Sequence, residues 1–325
     1  MRRIAFLLLL LVKFTGFGLA QQEDQIGIFM LNRPFYNPAF AGLGQSAEFN
    51  LHYRKQWSSF TQNPDLFNIS AEMPLYMISG AASLQFNQAK SGALNHQKTS
   101  LSYNQVKEFS NFGLVSVGIR LHYNRIILDG AQLTTPDGEY EDNLINHKDG
   151  VIPNNKDDVG FMGASIGLAV VSNYGDIGIS INNIPFQKKV VSKQGFFSYT
   201  GSPSINIFME KQFGMIYDIN ISPSILVKFE NKIIQTDIAA KISYQDNMLV
   251  LASLRGYGKN SFDGLNIGLG YKLNTKLWLV YMHEIGISQL RSSHSGSHEI
   301  VVKYNLNKKI GAVVRTPPVY NLRYF

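Results

Sequence analysis

Many short segments of this sequence alternate strictly between apolar and polar residues, and none of them merges into a long hydrophobic span. In residues 47–54 the apolar positions are Ala47, Phe49, Leu51 and Tyr53, and the polar positions between them are Glu48, Asn50, His52 and Arg54. Successive strand residues face opposite sides of a sheet, so this pattern predicts a wall with one apolar and one polar face. Closed into a ring, such a wall is how a β-barrel spans an outer membrane. We therefore predict an all-β fold, a single transmembrane antiparallel β-barrel.

The alternation returns along the whole chain. It is clearest in residues 67–73, 115–123, 176–182 and 265–274. Weaker or merely plausible strands are residues 77–86, 98–106, 161–171, 204–210, 217–222, 225–230, 235–244, 248–254, 276–283 and 299–306. Single-chain bacterial barrels have an even number of strands, so the sequence predicts about 14 strands, within a range of 14–16.

The N-terminus has the organisation of a secretion signal. Arg2 and Arg3 precede the apolar residues 4–12, and Gly18-Leu19-Ala20 follows as a small-x-small cleavage site. We expect cleavage near Ala20 and a mature protein in the outer membrane; an uncleaved membrane anchor is the alternative. The sequence has no cysteine, which excludes a lipoprotein and disulfides. Without the signal the formal charge of +7 falls to +4, too little to indicate a nucleic-acid partner.

Four regions follow from these patterns: a signal peptide (1–20), a non-strand N-terminal segment (21–46), the barrel (47–314) and a C-terminal tail (315–325). The N-terminal segment contains Pro34 and Pro38, which cannot donate to a β ladder. We expect its aromatic side chains either to plug the mouth of the barrel or to pack against another protein. The tail carries Pro317 and Pro318, so it cannot continue a central strand either.

The connections between strands differ in length and charge. Residues 173–175, 245–247 and 274–275 are short turns, as expected on the periplasmic side. Residues 129–158 instead hold eight acids against two lysines, a net charge of −6. A connection of this length is usually functional or disordered. It is either a loop that binds a partner or a cation, or a solvated surface loop.

Residues that could support catalysis or metal binding do not form a recognisable site. His294 and His298 are four positions apart, but the Gly and Ser between them disfavour a helix and no third ligand is evident. No Gly-x-Ser-x-Gly motif supports a lipid hydrolase. The sequence therefore predicts no enzyme activity, no metal and no cofactor. Charged residues on the polar faces of strands either line a conducting pore or form ion pairs in a closed lumen; they are Arg54, Arg120, Lys228, Glu230 and Lys272.

Three motifs resemble the PorP/SprF family of type IX secretion system membrane proteins. The first is residues 29–42, which end in Phe35-Tyr36-Asn37-Pro38-Ala39-Phe40-Ala41-Gly42. The second is Arg54-Lys55-Gln56-Trp57 followed by Pro64, and the third is Ser297-His298-Glu299-Ile300 followed by Val302 and Tyr304. The chain departs from the family pattern at Arg33 and Pro34 and again at Asn63.

The resemblance implies a non-enzymatic outer-membrane component of the type IX secretion system in Bacteroidota. Such a barrel aids secretion or surface attachment of a large cargo protein, for example a gliding adhesin. It does so by binding cargo or periplasmic and lipoprotein components of the machinery. The positions that the resemblance suggests for partner binding are Asn37, Pro38, Gly42, Arg54, Gln56, Trp57, His298 and Glu299. A porin-like or hydrophobic-solute channel is the alternative function.

Overall fold

The computed structural model describes residues 25–44, 46–60, 62–109, 113–140, 145–214, 218–257, 261–287 and 295–307. The signal peptide, the C-terminal tail and His294 lie outside these residues. The strands are β1 (Glu48–Lys55), β2 (Asp65–Leu75), β3 (Gly80–Ser91), β4 (Leu94–Phe109), β5 (Gly113–Asp129), β6 (Lys156–Ser172), β7 (Gly175–Pro185), β8 (Lys189–Val191), β9 (Ser198–Thr200), β10 (Ser204–Glu210), β11 (Phe213–Gly214), β12 (Ile219–Glu230), β13 (Ile233–Tyr244), β14 (Met248–Tyr257), β15 (Ser261–Lys272), β16 (Leu277–Gly286) and β17 (Ser297–Asn305). In the described part of the chain, no helix is long and apolar enough to cross a membrane.

Fourteen of these strands form a closed antiparallel barrel, as the sequence predicts. Each barrel strand pairs with its neighbour in sequence, and β1 pairs with β17, so that Leu51 lies opposite Val302. Strands β8 and β9 form a separate hairpin, and among the described residues the two-residue strand β11 pairs with β12 alone. The predicted segments 217–222 and 225–230 overlap a single strand, β12, which begins at Ile219 and continues through Pro223 opposite Ala240.

The two faces of the wall have the polarity expected in a membrane. In β1 the polar side chains Asn50, His52 and Arg54 are buried inside the barrel. On the outer face, Phe49 and Tyr53 are exposed by 47% and 37%. This distribution, with polar side chains inside and apolar side chains outside, is the inverse of the distribution in a soluble protein. Lipid is the environment in which that arrangement is favourable.

The four longest connections of the barrel all lie at one of its ends, where the two-residue turns after β3 and β12 lie as well. The long ones, after β1, β5, β7 and β16, all lie at one end, the long-loop end. The short turns that precede Gly175, Met248 and Leu277 lie at the opposite end, the short-turn end. Strands β5 and β6 have 17 residues each, more than the roughly 9–11 that cross a membrane, so they rise above it at the long-loop end.

The acidic connection is shorter than the sequence suggests, because Asp157 and Asp158 already belong to β6. The loop between β5 and β6 is organised around His147, which is only 1% exposed. Its Nε2 lies 3.0 Å from the Gly130 carbonyl oxygen and its Nδ1 lies 2.9 Å from the Tyr140 hydroxyl. No group of three metal-ligating side chains occurs among the described residues, here or elsewhere.

A plugged lumen as the candidate functional site

The N-terminal segment lies inside the barrel. Residues 25–44, called the lumen segment below, contain a 3-10 turn at Phe29–Leu31, one turn of α-helix at Arg33–Tyr36 and a second 3-10 turn at Pro38–Phe40. Pro34 and Pro38 both lie at the start of a helical turn, where a missing N–H costs nothing. The described part of the segment therefore packs against the inner face of the barrel wall.

Apolar side chains fix the first part of the lumen segment. Ile26, Ile28, Phe29 and Met30 are buried. They belong to one core with interior-facing residues of the wall, namely Phe208, Leu226, Ala239, Leu251, Val280, Met282 and Val301. The ring of Phe208 packs edge-on against Phe29 and Phe40, at centroid distances of 6.2 and 5.4 Å. Each large side chain buried in this way stabilises the plugged state by about 1.5–3 kcal/mol.

Glu299 holds the backbone at the start of the lumen segment. Its carboxylate oxygens accept hydrogen bonds from the backbone N–H groups of Gly27 and Ile28, at 2.6 and 3.1 Å. The same carboxylate pairs with the guanidinium group of Arg54. Both charged side chains are 1% exposed. An unpaired charge at such a depth would be strongly destabilising, so the pair and its hydrogen bonds depend on one another.

The Arg54–Glu299 pair continues as a row of alternating charges across the wall. Arg54 donates to Glu284 at 2.9 Å, and Arg255 donates to the same Glu284 oxygen at 3.1 Å. Asp237 follows, with Arg255 Nε at 3.6 Å and Lys228 Nζ at 3.7 Å. These three cations and three carboxylates, the charge row, balance one another. The internal ion pairs expected as one alternative therefore account for Arg54 and Lys228.

Polar side chains of the opposite wall bind the backbone carbonyls in the second part of the lumen segment. Arg120 donates to the carbonyl oxygens of Pro34 and Phe35. Further donors are Ser180 and Asn182 to Tyr36 at 2.8 and 2.7 Å, and Asn104 to Ala39 and Ala41 at 3.0 and 2.7 Å. A segment without a β ladder would otherwise leave these carbonyls unsatisfied in the interior.

Asn37 and Gly42 make specific contacts that few other residues could make. The Asn37 amide donates to the carbonyl oxygens of Leu168 and Ile179, at 3.1 and 3.2 Å, and its oxygen accepts from the Ala39 N–H at 2.9 Å. Gly42 has φ +62° and donates its N–H to Glu72 at 2.7 Å. A Cβ on Gly42 would lie 2.5 Å from the Ala81 Cβ, so the turn requires glycine.

Gln56, Trp57 and His298 lie outside the lumen, at the long-loop end. The Gln56 N–H donates to the Pro64 carbonyl oxygen at 2.8 Å. Trp57 has φ +52°, and its N–H donates to Ser297 Oγ at 3.3 Å. His298 lies on the outer face, with its Nδ1 2.7 Å from the Tyr281 hydroxyl.

Barrel closure brings the second and third sequence motifs together, because Arg54 lies opposite Glu299 and Lys55 lies opposite His298. The first motif packs inside the same wall, where Asn37, Pro38 and Gly42 are all buried. Sequence reasoning missed Arg255 and Asp237 as members of the site. The signal that could have found them is a charged residue at an interior position of each of several successive strands.

Fold and site together define an outer-membrane β-barrel whose lumen is filled by its own N-terminal segment. A family model described as type IX secretion system membrane protein PorP/SprF matches residues 18–304. The chain therefore belongs to the PorP/SprF family, whose members are secretion-system membrane barrels and not a known enzyme family. Membership carries a general association with the secretion machinery and its cargo.

Two solved structures share the barrel fold. The Ralstonia pickettii toluene transporter TbuX is 12% identical, with 87% of this chain and 94% of that chain covered and a TM-score of 0.51. The CymD monoaromatic hydrocarbon channel is 11% identical, with 89% and 94% covered and a TM-score of 0.50. At these identities the similarity concerns the fold alone. No curated protein matches the sequence.

Proposed function

We propose that this protein is a non-enzymatic adaptor of the type IX secretion system. It aids the secretion or surface attachment of a large cargo protein, such as a gliding adhesin, by binding cargo and periplasmic or lipoprotein components. The observation that supports this proposal is the use of the family motifs to fill the lumen. Asn37, Arg54 and Glu299 hold the lumen segment in place, so the barrel offers its two ends for binding rather than an open conduit.

The long-loop end is the proposed surface for cargo. The acidic loop between β5 and β6 is held by His147, and the β8–β9 hairpin is tied to β6 because Ser192 and the Gln194 N–H both bond Asp157. Gln56 and Trp57 lie at the same end, and we propose them as direct partner contacts. The buried motif positions Asn37, Pro38, Gly42, Arg54 and Glu299 act by shaping the barrel that presents this surface.

The decisive experiment compares three strains that carry a deletion of the gene, the wild-type gene, or a variant with residues 131–154 replaced by a short Gly-Ser linker. We expect normal surface cargo with the wild-type gene and loss of it in the other two. The linker variant must still reach the outer membrane as a folded barrel, which heat-dependent migration on gels shows. A matched control replaces the short-turn residues 245–247 by Asn-Gly, which leaves the long-loop end intact. Normal cargo in the deletion strain would refute the proposal.

A second experiment identifies the partners. Chemical cross-linking in native membranes, followed by purification and mass spectrometry, should recover one large secreted protein or periplasmic machinery component. We expect that recovery to fall in the linker variant if cargo binds the long loops. Recovery of periplasmic components alone, unchanged in the linker variant, would move the binding surface to the short-turn end.

A solute channel is the second candidate function, favoured by the fold similarity to TbuX and CymD, which are named as a toluene transporter and a monoaromatic hydrocarbon channel. In planar bilayers we expect little conductance from the wild-type protein, because the lumen segment fills the barrel. A variant without residues 25–42 should conduct. Steady, solute-selective conductance of the wild-type protein would favour the channel instead.

We further propose that the mature protein begins at Gln21, after cleavage following Ala20. The intact mass of the protein purified from outer membranes tests this position. A mass that includes residues 1–20 would favour the uncleaved anchor.

A further inference from the structure

The outer face of strands β17, β1, β2 and β3 carries an apolar depression of about 390 Å³. Leu51, Ala71 and Val302 are half-buried and belong to its floor. Its walls are larger side chains, namely Phe49, Ile69, Leu84, Phe86 and Tyr304. The volume falls within the range of roughly 300–1,000 Å³ that is typical of ligand pockets. A flat barrel wall would offer no such recess.

A row of charged side chains lies directly above the depression on the same strands. The strand register places Lys90 opposite Asp65, Asp65 opposite Lys55, and Lys55 opposite His298. His283 lies next to His298, with ring centroids 4.9 Å apart. Lys55 and Lys90 are exposed, and neither ammonium group forms an ion pair with any residue that the structure describes. The carboxylate of Asp65 lies between the two lysines, and two ammonium groups against one carboxylate leave these three residues with a net charge of +1.

The spacing between row and depression fits an amphipathic molecule. Lys55 is four residues from Leu51 along β1, a rise of about 13 Å at 3.3 Å per residue. The aromatic side chains Tyr53 and Phe67 occupy the level between them, opposite one another on β1 and β2. Aromatic residues at this height mark the boundary between the hydrocarbon and headgroup regions. The two lysines therefore lie at headgroup level and the depression lies at acyl-chain level.

We propose that this patch binds one phosphorylated glycolipid of the outer leaflet, lipid A. An acyl chain occupies the depression over Ala71, and a phosphate group binds the ammonium groups of Lys55 and Lys90, which flank the Asp65 carboxylate. The long-loop end faces the cell exterior in barrels of this type, so the adjoining leaflet is the one that carries such lipid. Basic residues near a membrane surface strengthen the binding of anionic lipid, and two act together here.

The test measures binding of lipid A with two phosphates to the full-length protein in detergent, by native mass spectrometry. We expect the variant Lys55→Gln/Lys90→Gln to bind about tenfold or more weakly than the wild type. Lys107→Gln is the matched control, because Lys107 is an exposed cation near the opposite end of β4. It should bind within about twofold of the wild type. Heat-dependent migration verifies that each variant is a folded barrel.

Two further measurements separate the contribution of the acyl chain to binding from that of the phosphate group. Ala71→Trp should fill the depression and weaken binding while both lysines remain. Lipid A without phosphates should bind the wild type as weakly as bisphosphorylated lipid A binds the lysine variant, and inorganic phosphate should not displace the lipid. Equal binding by the wild type and the lysine variant would overturn the proposal. Equal binding of phosphatidylglycerol would overturn the assignment to lipid A.

Discussion

The two halves of the lumen wall hold the same segment by different means. The charged half, β12–β17 with β1, contributes the charge row and the apolar side chains Leu226, Leu251 and Met282. The amide half, β2–β7, contributes Asn104, Arg120 and their neighbours, which bond backbone carbonyls. Strand β10 lies between the two halves. Residues 26–31 lie against the first half, and residues 32–42 contact the second. The contrast shows that a barrel can hold a non-strand segment by burial and charge in one place and by hydrogen bonds in another.

The largest effect is expected when the charged half loses one carboxylate. Glu299→Ala removes one of the two carboxylates that pair with buried Arg54, so that the charge row keeps three cations against two carboxylates, and it removes the acceptor of the Gly27 and Ile28 N–H groups. We expect a loss of about 3–5 kcal/mol in the free energy of unfolding. Urea unfolding in detergent, followed by tryptophan fluorescence, measures it.

The control for that prediction removes both charges of the pair. In Glu299→Met/Arg54→Met no isolated charge remains, so the double variant should be more stable than Glu299→Ala. If Glu299→Ala unfolds at the same urea concentration as the wild type, the charged half does not hold the lumen segment.

A smaller effect is expected when the amide half is crowded. A Cβ on Gly118 of β5 would lie 2.5 Å from the Ala39 backbone nitrogen, so Gly118→Ala should push the lumen segment away at a cost of about 1–3 kcal/mol. Faster cleavage of residues 25–44 by added protease would show the displacement. Gly44→Ala is the control, because a Cβ there meets nothing within 4 Å.

A comparable or smaller effect is expected from Asn37→Ala. The carbonyl oxygens of Leu168 and Ile179 lose one donor each, and we expect a cost of about 1–3 kcal/mol. Hydrogen exchange should rise in residues 37–41 and stay unchanged around Glu299. Equal acceleration in both places would mean that the two halves do not act separately.

The smallest effect is expected outside the lumen. Tyr281→Phe removes the hydroxyl that bonds His298 on the outer face, where the hydroxyl is partly accessible. We expect the free energy of unfolding to change by less than about 0.5 kcal/mol. A loss as large as that of Glu299→Ala would show that the outer face, and not the lumen, determines stability.

The barrel was predictable from sequence because strand alternation is a local pattern, as residues 47–54 show. Strand ends were less predictable: residues 76–78 form a 3-10 turn, and β3 begins only at Gly80. The charge row could not be derived, since it depends on which strands become neighbours. Arg54 and Glu299 are 245 positions apart and meet only because the first and last strands pair. The family motifs marked both residues without indicating that they touch.

The pairing of Glu299 with Gly27 and Ile28 also sets an order of assembly. These partners are separated by 272 and 271 positions, so their hydrogen bonds form only once the last strand has joined the first. Contacts between such distant positions are slow to form, since a long loop must close before any of them is made. The barrel must therefore close around the lumen segment, which precedes every strand in the chain. A polypeptide truncated before β17 would lack the latch that retains that segment.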